Sequence, residues 1–184
     1  MKDKLNKQKL TLRVIKDSDL EKLLLFPKNT LELFYFSPSA NTPFNLSQLK
    51  KIINQACESI VLEGQQQLLG FANFQLIKPH NIAFIGNLII HPNKRKQGLG
   101  YYFLSHLIAK GFQELQLKEI HLSCYQTNTN ALSLYKNLGF QAYAEEKCYV
   151  PDDLLKIQSQ ASTQTLIHLK RINQSLKASA IDLN

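Results

Sequence analysis

The sequence predicts an α/β or α+β domain, with one sheet of about seven strands and about four helices on its faces. Three observations carry this. Seven short apolar runs of β type alternate with four stretches whose apolar residues recur at helical spacing. A hairpin signal, Glu63-Gly-Gln-Gln, joins two of the runs. The 184 residues are 44% hydrophobic and 20% charged, enough for a single core and within the usual domain size of roughly 100–200 residues.

Leu10 to Ile15 reads as the first strand. Asp17 can cap a short helix in which Leu20, Leu23 and Leu24 share a face. Asn45 to Gln55 reads as a second helix, with Leu46, Leu49 and Ile53 on one side. Glu58 to Leu62 and Leu68 to Ile77 flank the hairpin turn, and Ile82 to His91 forms another strand that Pro92 ends. From about Leu99 to Leu115 the residues Leu104, Leu107, Ile108, Phe112 and Leu115 make a helical stripe. Glu119 to Tyr125 is a strand, and Asn128 to Leu138 a helix that Gly139 can close in the left-handed conformation. Gln141 to Tyr149 and Thr163 to Lys170 complete the strands. No repeat or linker divides the chain, so one domain is expected over residues 10–172, with extensions at 1–9 and 173–184.

Composition narrows the function. No apolar run approaches the roughly 18–20 residues that span a bilayer, so no membrane role is expected. The basic start, Met1 to Lys9, lacks an apolar signal core, and a cytoplasmic location is the simplest expectation. Cys57, Cys124 and Cys148 are widely spaced without a C-x-x-C pair, which argues against a zinc site or a disulfide framework, and no metal is expected. Net charge is +8, and Lys2, Lys4, Lys7, Lys9, Arg13 and Lys16 crowd the N-terminus. Such an arm suits an acidic surface or a solvated terminus. No helix carries a basic stripe and no aromatic-basic RNA signature occurs, so nucleic acid is not the expected partner.

The segment Asn87 to Gly100 joins an apolar strand to an amphipathic helix through a basic turn, Lys94-Arg-Lys-Gln-Gly-Leu-Gly100. Backbone N–H groups and a helix N-terminus then converge on one place, which suits a phosphate. A Walker loop is absent, and the third glycine of a Rossmann fingerprint is missing after Gly98 and Gly100. What remains is R-x-x-G-x-G from Arg95 to Gly100. On these residues alone, a connection whose glycines merely turn the chain explains the segment equally well.

A second motif follows: Asn128-x-x-Ala131-x-x-Leu134-Tyr135-x-x-x-Gly139-Phe140. The two together resemble the GNAT superfamily of N-acetyltransferases, over about Asn87 to Phe140. The resemblance implies a mixed, mostly antiparallel sheet and transfer of an acetyl group from acetyl-coenzyme A to an unidentified primary amine, by direct attack in a ternary complex. It implies that coenzyme A meets Leu88, Ile89 and Ile90 of the strand, then Arg95, Lys96, Gln97, Gly98, Leu99 and Gly100 of the turn, and Asn128. A bulge at Leu88 to Ile90 would aim an N–H at the thioester carbonyl. The Tyr135 hydroxyl would protonate the departing thiolate; Asn128 and Tyr135, seven residues apart, lie on one helix face. A homodimer is left open.

The general base is unassigned. Many relatives place Glu five residues before the motif's Asn, where this chain has Ser123, and no Asp or Glu occurs between Gly64 and Gln113. A water relay through Asn87 or Ser123, or a carboxylate such as Glu63 or Glu145, are the alternatives, with His91 and His121 also in view. Cys124 lacks the His/Asp partners of an activated thiol, so no acetyl-cysteine is expected. Phe34, Tyr35 and Phe36, in the run Leu31 to Phe44, either line an acceptor pocket or pack as a loop under the sheet. A rival reading is a non-catalytic, regulatory module on the same fold that binds acyl-coenzyme A.

Overall fold

The computed structural model describes residues 9–77, 80–150, 154 and 163–174. The basic residues Lys2, Lys4 and Lys7 and most of both expected extensions lie outside these. Seven strands form one sheet: β1 Leu10–Val14, β2 Glu58–Gly64, β3 Gln67–Ile77, β4 Ile82–Ile90, β5 Glu119–Tyr125, β6 Gln141–Tyr149 and β7 Thr163–Ile172. Their order is β1-β2-β3-β4-β5-β7-β6. Every neighbouring pair is antiparallel except β4 and β5. The β2–β3 hairpin closes through Gln65 and Gln66, both at positive φ (50° and 59°), as a two-residue turn of primed type requires.

The described helices number five, not four: α1 Asp17–Leu24, α2 Thr30–Phe36, α3 Leu46–Asn54, α4 Leu99–Ala109 and α5 Thr129–Asn137. The unexpected one is α2, where the sequence suggested a loop. Its start is capped by Asn29, whose side chain accepts the Glu32 N–H (2.9 Å), while Glu32 accepts the Lys28 N–H (2.9 Å). Asp17 does not cap α1 but begins it. Asp19 does the work, accepting the Lys16 N–H at 2.9 Å. The end of the long central helix differs too. From Lys110 to Glu114 it widens to a π turn, where Gly111 sits so close to Ile120 that a Cβ would lie 2.7 Å from the Ile120 side chain.

Strand alternation sends Ile60 and Leu62 to one face and Val61 to the other. The first face packs under α4 and α5, with Phe103, Leu104 and Leu107 fully buried. The second packs under α1, α2 and α3, where Leu23, Phe26 and Leu49 meet Phe71 and Ile89. No helix among the described residues is long and apolar enough to cross a membrane.

Candidate active site

β4 and β5 pair only at Ile82–Glu119, Ala83–Ile120 and Phe84–His121. β4 then runs on to Ile90 and β5 to Tyr125 without further pairing. The two parallel strands therefore part in the middle of the sheet, leaving β4 with a line of backbone groups that a ligand could pair. A bulge accompanies the parting. β3 pairs Asn73 with Gly86 and Phe71 with Ile89, so Asn87 and Leu88 together oppose Ala72. The irregularity thus starts one residue earlier than Leu88, at Asn87, which adopts φ 52°.

Side chains under the sheet hold this bulge. Ser59 Oγ donates to Asn73 Oδ1 (2.8 Å), and Asn73 Nδ2 donates to Asn87 Oδ1 (3.1 Å) and to the Ile52 carbonyl (3.3 Å). Asn87 Nδ2 donates to the Phe36 carbonyl at 2.7 Å. One chain of amides thereby ties β2, β3, β4 and the ends of α2 and α3 together.

After β4, a 3-10 turn at Pro92–Lys94 leads into the basic loop. Lys96 takes φ 59° and Gly98 φ 82°, and Gly98 is the N-cap of α4. The Tyr102 N–H donates to the Gly98 carbonyl (2.9 Å) as the first helical bond, so the N–H groups of Leu99, Gly100 and Tyr101 have no acceptor within the helix. The Leu99 side chain is in the core, and Lys96 and Gln97 are exposed. Gly100 lies where three elements meet: a Cβ there would sit 3.4 Å from Leu134 on α5 and 3.8 Å from Ile90 on β4.

Arg95 is occupied. Its guanidinium forks onto Glu32 (2.5 and 3.0 Å) and donates to the carbonyls of Ile90 (3.1 Å) and Phe26 (3.3 Å). Burial opposes ionisation of Glu32, but Arg95 and the Lys28 N–H outweigh it and hold the carboxylate below its ordinary range. Burial, then Lys94, Arg95 and Lys28, push the His91 imidazole down and keep it neutral. The groups of this turn left to meet an anion are its backbone N–H groups and the exposed Lys96.

Asn128 caps α5, its Oδ1 accepting the Ala131 N–H at 3.3 Å. Two turns on, Tyr135 is 8% exposed and set edge-on to Phe140. The ring is enclosed in the core, beside Cys124 of β5. Burial, and secondarily Cys124, push this phenol well above its usual range, so it stays protonated. Burial pushes the Cys124 thiol up to about 12, which leaves it inert.

α2 spans the wide end of the wedge. The Phe36 carbonyl binds Asn87 of β4, while the Phe34 ring stacks on Tyr125 of β5 (4.5 Å) and the Tyr35 hydroxyl donates to Thr127 (2.8 Å). Phe34 and Phe36 are each 4% exposed and serve as packing; Tyr35 is half-buried. Of the carboxylates considered as bases, Glu63 is bound to Arg13 at the β1–β2 edge and Glu145 lies exposed on β6. α2, the role of Asn73 and the Glu32–Arg95 pair are not among the features expected from the sequence. Only the Asn29 to Glu32 spacing, a capping pattern, carried a local signal.

Comparison with known proteins agrees with this geometry. The model of the acetyltransferase (GNAT) family matches residues 26–140. The spermidine N-acetyltransferase of Vibrio cholerae, solved with CoA and spermine, superposes with a TM-score of 0.74 at 20% identity, covering 90% of this chain and 96% of that one. The ribosomal-protein-S18-alanine N-acetyltransferase of Escherichia coli gives 0.67 at 20% identity, covering 89% and 94%. At such identities the structural likeness establishes the fold.

Proposed function

This chain belongs to the acetyltransferase (GNAT) family, and on that premise we propose that it transfers an acetyl group from acetyl-coenzyme A to a primary amine by direct attack in a ternary complex. The observation that carries the proposal is the wedge between β4 and β5, with the N–H-lined turn at its end and Tyr135 buried beside Cys124 of β5. The residues present suit the cosubstrate. The diphosphate would take the N–H groups of Leu99, Gly100 and Tyr101, with Lys96 beside them. The pantetheine amides would add to the bared edge of β4 from Leu88 to Ile90 as an extra strand.

Tyr135 then serves as the general acid. It holds its proton at every physiological pH, and the departing thiolate supplies the base that removes it. A polyamine, with several ammonium groups, is the less favoured acceptor. Among the described residues Glu32 is engaged by Arg95, Glu63 by Arg13, and Glu119 by His121 and Lys170, which leaves little for a polyamine.

The test offers amino acids, peptides, polyamines and aminoglycosides with acetyl-coenzyme A and follows thiol release. Tyr135→Phe is expected to lower the rate at least about tenfold while coenzyme A still binds. Tight binding without turnover of any amine would instead favour the regulatory, acyl-coenzyme A-binding module.

A further inference from the structure

β5 presents opposite sides of itself to the two halves of the wedge. Cys124 points into the core beside Tyr135, so its neighbour Ser123 points to the other face, where it is exposed. Ser123 pairs across the sheet with His168 of β7, and its Oγ lies 2.8 Å from His168 Nδ1. The other ring nitrogen of His168 lies 3.4 Å from Glu146 of β6. Ser123 comes two residues after the last β4–β5 pair, Phe84–His121. On β4 the matching position is Gly86, where a Cβ would meet nothing within 4 Å. An opening therefore lies over Gly86 and beside Ser123, on the face opposite Tyr135.

We infer that Ser123, His168 and Glu146 form the proton-accepting side of the acetyl transfer, and that the amine enters over Gly86. This rests on the acetyltransferase reading. The amine nitrogen bonds to the acetyl carbon, the carbon–sulfur bond breaks, and the sulfur takes the Tyr135 proton. The proton shed by the nitrogen passes to Ser123 Oγ as the Ser123 proton passes to His168 Nδ1. The imidazolium then returns a proton to solvent and Tyr135 regains one from it, so amine and thioester become amide and thiol.

In this relay Glu146, 3.4 Å from Nε2, favours the tautomer that carries the proton there and turns the Nδ1 lone pair toward Ser123. The charged and titratable groups around His168 and Glu146 are His121, Glu119 and Tyr125 of β5, Tyr143 and Cys148 of β6, whose thiol lies 3.7 Å from Glu146, and Lys170 of the same strand as His168. Glu119 is held by His121 (2.7 Å) and Lys170 (3.2 Å), and His121 also meets the Tyr143 hydroxyl (3.0 Å). Both nitrogens of His121 are therefore engaged, and Glu146 is the carboxylate set against His168.

The test compares the full chain with His168→Gln, Ser123→Ala and Glu146→Gln, using an amine that the unaltered protein acetylates. kcat/KM is followed against pH, and acetyl-coenzyme A affinity is measured by calorimetry on the same samples. His168→Gln is expected to lower kcat/KM at neutral pH by roughly 10²–10⁴-fold with acetyl-coenzyme A affinity kept, and to leave on the acid side only the fall set by protonation of the amine itself. Ser123→Ala is expected to do the same, and decides the matter if the His168 variant fails to fold. Glu146→Gln should give a smaller loss. Variants that keep the parental rate and pH profile overturn the inference, as does a parent that binds acetyl-coenzyme A and acetylates no amine. A parent that binds no acetyl-coenzyme A fails the acetyltransferase reading itself, and calorimetry separates that result.

Discussion

Removing the Asn87 side chain should loosen both walls of the wedge at once. In Asn87→Ala the Phe36 carbonyl loses its 2.7 Å donor, and Asn73 Nδ2 is left with the 3.3 Å contact to Ile52. A half-buried polar group left without its partner costs about 1–3 kcal/mol. Alanine must also hold φ 52°, which adds about 1–2 kcal/mol. The sum, about 2–5 kcal/mol, corresponds to a melting temperature lower by roughly 4–20 °C for a chain of this size. Asn87→Gly loses the same hydrogen bonds but meets no Cβ strain, and should be the more stable of the two by about 1 kcal/mol. Urea titrations of both variants, with melting curves as a second probe, give the numbers. An alanine variant within about 0.5 kcal/mol of the parent, or a glycine variant no better than alanine, would refute the assignment of Asn87 as the pin of the bulge.

Two further outcomes follow from the same structure. The hydrogen bond from Arg13 (2.6 Å), outweighing burial, holds the Asp19 carboxylate below its ordinary range. The folded chain then binds fewer protons in acid than the unfolded one. The resulting stability is complete above the ordinary carboxylate value of about 4 and is lost as pH falls through the folded value. Asp19→Asn should flatten that part of a urea-midpoint against pH plot; an unchanged slope would refute it. Gly98→Ala places a Cβ at φ 82° in the N-cap of α4, a strain of about 1–2 kcal/mol, and should weaken coenzyme A binding roughly tenfold, as read by calorimetric titration.

Much of this fold is legible in the residues because local physics decides it. The Gln65-Gln66 hairpin, the stripe of Leu104, Leu107 and Ile108, and the α5 termini at Asn128 and Gly139 are set within a few positions of themselves. The mixed, mostly antiparallel sheet of seven strands follows the expected order of elements. What was not legible depends on distant partners. α2 is apolar on opposite sides, because Phe36 packs toward Phe71 and Phe34 toward Tyr125, so no amphipathic period marks it. The fate of the Arg95 guanidinium is decided by Glu32, 63 positions away. Ser123 reads as a missing carboxylate until β7 brings His168 alongside it, 45 positions on.

The proposed function needs the parted pair of strands and the helix N-terminus to receive a thioester-bearing diphosphate together. Calorimetric titration of the folded, unaltered chain with acetyl-coenzyme A tests this most directly. Saturable binding of one molecule per chain is expected. A folded protein that gives no binding heat and fails to compete with a coenzyme A probe would contradict it.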